Sequence, residues 1–436
     1  MLGLIIIGSR LLQSDTLQLS LHAASDLARL NNPALVAQRA EVRVAAQRPL
    51  EASRAFLPSV RLNANAMRTT DPVAVFGLKL RQENFQGPDL ALDALNRPST
   101  YSDFMAGGAV DVPVFVPEGL FEFSAARRGA EASGIGLQRA IETISFMVAQ
   151  AYWNVQLVDM ETITLESALE AANAHAQDAE AMQVQGLVTG LDARLARLRV
   201  AELESQLVSA RVNASNARSA LAVLLGVAEP ETMILTDSLT QATPARCSGA
   251  SNGCEVRDRA DLVAARLGVE VAELTTRAAL ASNLPSIAAF GSIARHGQSS
   301  FLGNGSSDWT IGIGVTWAPF RALSGLGTVR RARAERDAAA ARLEELVRRA
   351  DTEVLIATRN LAATERRVRV AESAKDEAGV TMEQATLRYR TGIAPITELL
   401  DVQAATVAAD RNLLVALRDF ALAQAALDFA YGVTER

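Results

Sequence analysis

The sequence predicts a mainly α-helical chain with a transmembrane β-barrel section, built from one unit of helix, strand, strand, long helix and helix that is used twice. Three observations predict it. Apolar residues recur in heptads along very long segments, two stretches of the chain match two others at constant offsets, and short strands alternate apolar with small or polar residues.

Taken in order, the first nine residues, MLGLIIIGS, are apolar, but no basic residue precedes them and no small-x-small cleavage site follows. Residues 1–16 are read either as the remnant of a signal peptide or as an ordinary terminal segment. From Leu17 to Phe56 a helical pattern ends in LPSVRLNANA, and from Leu262 to Asn283 another ends in LPSIAAFGSI. An offset of 227 superposes Leu35 on Leu262, Arg39 on Arg266, Val42 on Val269 and Leu57-Pro58-Ser59 on Leu284-Pro285-Ser286. Chance does not hold one offset over so many positions, so the chain is an internal duplication. The later halves match at an offset of 206, Gly186 with Gly392, Ala210 with Ala416 and Gly226 with Gly432. The change of offset falls between the strands, which gives the first repeat a longer strand-to-strand loop, roughly Thr69 to Met105, holding Phe76, Phe85, Tyr101 and Phe104.

The strands come next. In WTIGIGVTWAPF, Trp309, Ile311, Ile313, Val315 and Trp317 point one way, and Thr310, Gly312, Gly314 and Thr316 the other. Val60, Leu62, Ala64 and Ala66 alternate with Arg61, Asn63 and Asn65 in the same manner. Alone, this pattern favours a soluble sandwich with one buried face over a membrane barrel, and the context reverses that preference. Trp309 and Trp317 lie about 26 Å apart along a strand, close to the spacing of a membrane aromatic girdle. Four strands cannot close a barrel, and open edges are not tolerated in lipid, so several copies must each supply part of one wall.

The long helices carry the heptads. Val347, Val354, Leu361, Val368, Lys375, Met382 and Tyr389 form one line, and Ala350, Ala357, Thr364, Ala371, Ala378 and Ala385 the other. Leu399 to Leu427 repeats the pattern beside Val402 to Ala430, and Ile141 to Ala176 beside Ile144 to Ala179. One line is mostly large and the other nearly all small, so neighbouring helices can approach closely. Between the limbs of the second hairpin, RYRTGIAPITELLD places Gly392 and Pro395 at a tight turn. With no internal proline from Arg321 to Ala394, the first limb reaches on the order of 100 Å. The chain thus divides into residues 1–16, a first repeat at 17–226 with strands near 58–68 and 107–116, a linker at 227–257, and a second repeat at 258–433 with strands near 285–295 and 308–319.

Chemistry is sparse. Basic and acidic residues nearly balance, 43 against 49, with a pI near 5.4, so no nucleic-acid footprint is present. No apolar run reaches the ~18 residues of a membrane-spanning helix. His22, His175 and His296 lie in separate segments without metal-ligand spacing and read as surface residues. Gly312-Ile313-Gly314 belongs to a strand and precedes no phosphate-binding helix, and no nucleophile elbow occurs, so neither an enzyme nor a cofactor site is expected. Cys247 and Cys254, in CSGASNGC, read as a disulfide in an oxidising compartment or as two idle thiols.

The repeat order, the LPS entry to each strand pair and the glycine at each long-helix tip resemble the TolC-like outer membrane efflux family, over nearly the whole chain from Leu17 to Val433. The resemblance implies a homotrimer whose twelve strands form one barrel in the outer membrane of a Gram-negative bacterium and whose helices form a coiled-coil tube across the periplasm. It implies a passive exit duct for an inner-membrane pump or a type I secretion system, recruited through a periplasmic adaptor (membrane fusion protein). In the family a Val-Gly-Leu-like tripeptide at each tip receives the adaptor. Here the matching glycine and apolar positions are Gly186 and Leu187, and Gly392 and Ile393. The family's acidic gate rings match Glu398 and Asp401, and its gate tyrosine and acid match Tyr389 and Asp192. Where the family has a gate arginine this chain has Ala394; either Arg390 stands in or the gate is held more loosely. Two solvated carboxylates in a first helical turn are the plain alternative for Glu398 and Asp401. For the whole chain the alternative is a coiled-coil scaffold, which would use the same seams but has no need of the alternation from Trp309 to Trp317.

Overall fold

A computed structural model of the chain describes residues 17–228, 233–239, 256–301, 305–318 and 322–433. Cys247 and Cys254, residues 1–16 and most of the predicted linker lie outside the described residues. The chain separates into two units, Met1–Glu41, Gly134–Val263 and Glu344–Arg436 in one, Val42–Ser133 and Ala264–Leu343 in the other.

The duplication is visible element by element. Helices α1 (Leu21–Asn31) and α2 (Pro33–Ser53) lead to strand β2 (Ser59–Thr69) and strand β3 (Tyr101–Phe115), then to α5 (Pro117–Val184) and α6 (Gly190–Leu225). The second repeat follows with α7 (Ala260–Ala281), β5 (Ser286–Gly297), β6 (Ser306–Thr316), α8 (Ala322–Arg390) and α9 (Ile396–Tyr431). The long helices have 68 and 69 residues and their return helices 36 each. The four glycines with positive φ fall as repeat pairs, Gly186 and Gly392 at 71° each and Gly226 and Gly432 at 69° and 73°. Each ends a helix in the left-handed region that only glycine enters without penalty.

In the second unit the four strands form one antiparallel sheet in the order β2-β3-β5-β6. The register sets Leu62 opposite Gly108, Gly108 opposite Ile293 and Ile293 opposite Trp309, so these residues share a face. Trp309, Ile311, Ile313 and Val315 are all exposed on that face, with Val60, Leu62 and Ile293 beside them. The opposite face carries Asn63, Asn65, the Arg61–Asp111 ion pair, Thr310 and Gly312. Phe290 lies over Gly312, where a Cβ would come within 2.6 Å of its ring. Among the described residues, β2 and β6 each have one side with no strand beside it.

Two predicted strand bounds and the predicted loop need correction. β3 begins at Tyr101, not near 107, because its first residues continue the pairing with Ala66 to Thr69. β6 ends at Thr316, so Trp317 lies just past the strand, where its indole N–H donates to the Asn283 carbonyl at 3.2 Å. The long loop contains helices α3 (Pro72–Arg81) and α4 (Leu92–Asn96). Asp71 caps α3 by accepting from the Ala74 N–H at 2.8 Å, with Pro72 in the first turn. Val75 and Leu78 of α3 pack on Tyr101.

His296 is not a surface residue. It is buried, its Nδ1 3.0 Å from Asp103, which accepts from the Gln82 amide at 2.8 Å, and Gln82 in turn accepts from the Tyr101 hydroxyl. Two buried ionisable groups are tolerable because each finds polar partners, Asp103 in His296 and Gln82, His296 in Asp103 and Asp308.

In the first unit, short parallel strands β1 (Leu17–Leu19) and β4 (Met233–Leu235) bring the start of the chain to the inter-repeat segment. Tyr152 holds them, its hydroxyl donating to the Leu19 carbonyl at 2.9 Å and accepting from the Asp237 N–H at 3.1 Å. Burial first, with the Asp237 carboxylate beside it, pushes this phenol up to about 12. The seam alanines do what their spacing predicts. Ala172, Ala179, Ala350, Ala357, Ala385, Ala416, Ala423 and Ala430 are all buried. Among the described residues no helix is long and apolar enough to cross a membrane.

Candidate functional site

The two helical tips belong to the first unit and are built alike. At the end of α5 the Gly186 N–H donates to the Gln183 carbonyl at 3.0 Å and the Leu187 N–H to Met182 at 2.9 Å. At the end of α8, Gly392 donates to Tyr389 and Ile393 to Arg388, both at 2.9 Å. This is the Schellman arrangement, in which the residue after the glycine usually folds back onto the helix. Here it does not, because Leu187 is 66% and Ile393 71% exposed. Nothing lies within 4 Å of where a Cβ on either glycine would be. The tips therefore present an open glycine beside an unpacked apolar residue, twice.

The return helices begin differently. Thr189 starts α6 with a reciprocal cap, Asp192 accepting from the Thr189 N–H and hydroxyl, each at 2.8 Å. Pro395 starts α9 with no side-chain cap. Instead Glu398, in the first turn, pairs with Arg388 across the turn at 3.3 Å. Asp401 is exposed, one turn on, and no partner for it occurs among the described residues.

Beneath the turns, Ala176, Ala179, Ala193, Ala196, Ala385, Tyr389, Ile396 and Leu399 make one core from four helices. The Tyr389 hydroxyl is buried without a hydrogen-bond partner. Burial first, and then the Asp192 and Asp178 charges, push its phenol above the ordinary range. Arg390 does not reach Asp192. It pairs with Asp178 of α5 at 3.1 Å and so ties one hairpin to the other. Of the predicted gate residues, Glu398 and Asp401 share a helix turn, Tyr389 lies in the core behind them, and Asp192 is engaged at its own helix start.

His175, read from the sequence as a surface residue, is buried on α5. Burial holds its imidazole below the usual range, with Asp178 working against the shift and Arg390 adding to it. The sequence reading also missed Gln403, whose buried amide donates to the Ala168 carbonyl at 3.3 Å and links α9 to α5. A glutamine one position after Val402 of the seam and four after Leu399 was the available signal. Ion pairs clamp each hairpin along its length, Arg197–Glu180 and Arg218–Asp159 in the first, Lys375–Asp410 and Arg367–Asp419 in the second. Among the described residues no group of His, Cys, Asp and Glu can hold a metal. Trp309 and Trp317, both exposed, remain the aromatic pair of the sheet unit.

The family model for outer membrane efflux proteins matches residues 24–227 and 256–433, most of the chain in two copies. No curated protein matches the sequence at a significant level. Solved structures share the fold. The Vibrio cholerae outer membrane protein VceC is 20% identical with a TM-score of 0.77, over 95% of this chain and 96% of its own. The Campylobacter jejuni CmeC outer membrane channel is 18% identical with a TM-score of 0.82, over 94% and 85%. The open state of the Neisseria gonorrhoeae MtrE outer membrane channel is 20% identical with a TM-score of 0.79, over 95% and 89%.

Proposed function

This chain belongs to the outer membrane efflux protein family and has its place in the outer membrane, and from that premise we propose that it is a passive exit duct of a tripartite efflux pump or a type I secretion system. Three copies each contribute four strands to one barrel, and their long helices form a tube into the periplasm of a Gram-negative cell. A periplasmic adaptor docks at Gly186, Leu187, Gly392 and Ile393, and connects the duct to an inner-membrane pump. Glu398 and Asp401 narrow the tip, where three copies of each carboxylate repel one another and attract cations.

The observation that carries this reading is the sheet. Its exposed face is apolar from Val60 to Trp309, its other face is mostly small or polar apart from Phe290, and among the described residues both outer strands lack a second neighbour. Lipid on one side, water on the other and further copies at the edges supply all that such a sheet lacks. A tube also needs no catalytic group.

Negative-stain imaging of the detergent-extracted protein tests it. Threefold particles with a rod below a detergent belt are expected, and compact particles without a belt would return the scaffold reading. For the gate, replacing Glu398 and Asp401 together with Ala should raise single-channel conductance in planar bilayers about twofold or more and weaken block by multivalent cations, since close like charges dominate a narrow pore. Unchanged conductance removes both from the constriction.

A further inference from the structure

We propose that the Arg390–Asp178 tether between the hairpins is a proton-sensitive lock on the tip and that His175 is its sensor; the proposal rests on the gated-duct reading above. Arg390 reaches from the last turn of α8 to Asp178 on α5, 3.1 Å away, and His175 lies buried one turn earlier on the same helix. The charges that act on His175 are Asp178 from its own helix and Arg390 from α8. The other two helices bring Ala193, Ala196, Ile396 and Leu399 to this layer. Of their acids, Asp192 is held by Thr189 and Glu398 by Arg388, while Asp401 is exposed one turn further along α9. Tyr389, the remaining titratable group of the layer, keeps its proton throughout the range considered.

The ion pair is half exposed on both sides, and such a pair is a weak tether. A weak tether suits a part that must release, and a single new charge beside it can tip the balance. Burial holds His175 neutral in the packed arrangement, so it binds a proton less readily there than it would in water. An arrangement in which the imidazole is hydrated therefore gains protons as pH falls through the ordinary histidine range, and mass action favours it. The packed, locked arrangement is stabilised above that range and loses that stabilisation on acidification. Once charged, His175 also competes with Arg390 for Asp178 and repels the guanidinium directly. Both effects act in the same direction, toward separation of the two hairpins.

The test is the open fraction of the full-length protein in planar bilayers between pH 7.5 and 5.5, with acid added on the side of the helical tips. For the native chain the open-to-closed ratio should rise with falling pH, by at most about tenfold per pH unit for each proton bound. His175→Gln should remain closed and flat across the range, while Asp178→Asn and Arg390→Gln should be open already at pH 7.5 and equally flat. Should His175→Gln not yield an assembled pore, Asp178→Asn carries the test through its own pH profile. An acid response that survives His175→Gln, or an Asp178→Asn pore as closed as the native one at pH 7.5, overturns the lock but leaves the duct. No pore from the native chain or from either tether variant overturns the duct reading and the lock with it.

Discussion

The two repeats place nearly the same backbone in two copies and hold it by different chemistry. Asn32 in the first repeat donates to the Leu224 carbonyl at 2.8 Å. Arg259, its equivalent at the 227 offset, donates to the Ala430 carbonyl at 3.1 Å, the equivalent acceptor at the 206 offset. Asn32 meets that need with a neutral amide. Arg259 brings a charge that is 2% exposed and must be balanced by Asp261 at 2.7 Å and Glu353 at 2.7 Å. Burial alone would favour loss of its proton, but the hydrogen bonds to Asp261 and Glu353 outweigh it and hold the guanidinium charged. The tips repeat the contrast, with a local Thr189 cap in the first hairpin and the Arg388–Glu398 and Arg390–Asp178 pairs in the second. At these matched positions the first repeat uses hydrogen bonds from neutral donors and the second uses charges, so salt and protons act on the second more than on the first.

Substitutions can break this contrast. The largest effect is expected for Arg259→Leu, which strands the Ala430 carbonyl and leaves the partly buried Asp261 with only Arg139, 3.6 Å away, and should cost about 3–5 kcal/mol. Asn32→Ala strands the Leu224 carbonyl and removes the cap that the Asn32 side-chain oxygen gives the Ala34 and Leu35 N–H groups, all neutral hydrogen bonds, about 1–3 kcal/mol. Chemical unfolding of the detergent-solubilised protein ranks the two, and equal losses would erase the distinction between the repeats. At the tips the effects are smaller. Thr189→Ala should cost about 1 kcal/mol at any ionic strength, because a cap is a local hydrogen bond. Arg388→Gln should cost less than about 1 kcal/mol and nothing measurable at 1 M salt, where exposed charges are screened. Hydrogen exchange at the Leu187 and Ile393 amides reads both, and a salt-independent loss for Arg388→Gln would mean that the second tip is held by packing alone.

Much of this architecture could be read in the sequence because it is periodic. A heptad line or an alternating strand repeats its signal many times, and duplication doubles it again, so the helix lengths, strand pairs and both tip glycines emerge from counting. The tip residues followed because a glycine and an apolar residue recur at the same offset. Single contacts carry no such repetition. Nothing in the spacing around His175 separates an inward from an outward histidine, since it sits one position before the Ala176 seam. The Tyr152 clamp joins β1 to β4 across distant parts of the chain, and the segment holding β4 has no period to read. Helix α3 is a different kind of miss. Asp71-Pro72 ahead of an apolar run is a good helix start, legible on its own terms.

The unpaired outer strands of the sheet bear on how the protein is made. Among the described residues of a single copy, the outer strands leave two rows of backbone amides unpaired and the sheet an apolar face uncovered. On the proposed three-copy barrel, maturation is a race between meeting sister copies and meeting anything else that pairs with an edge, and the first is steeply dependent on supply while the second is not. Weak expression should therefore lose functional protein faster than in proportion to its message. A sister chain defective only in its strands should poison the assembly it joins, and mixing the two genes at graded dosage would expose that dominance.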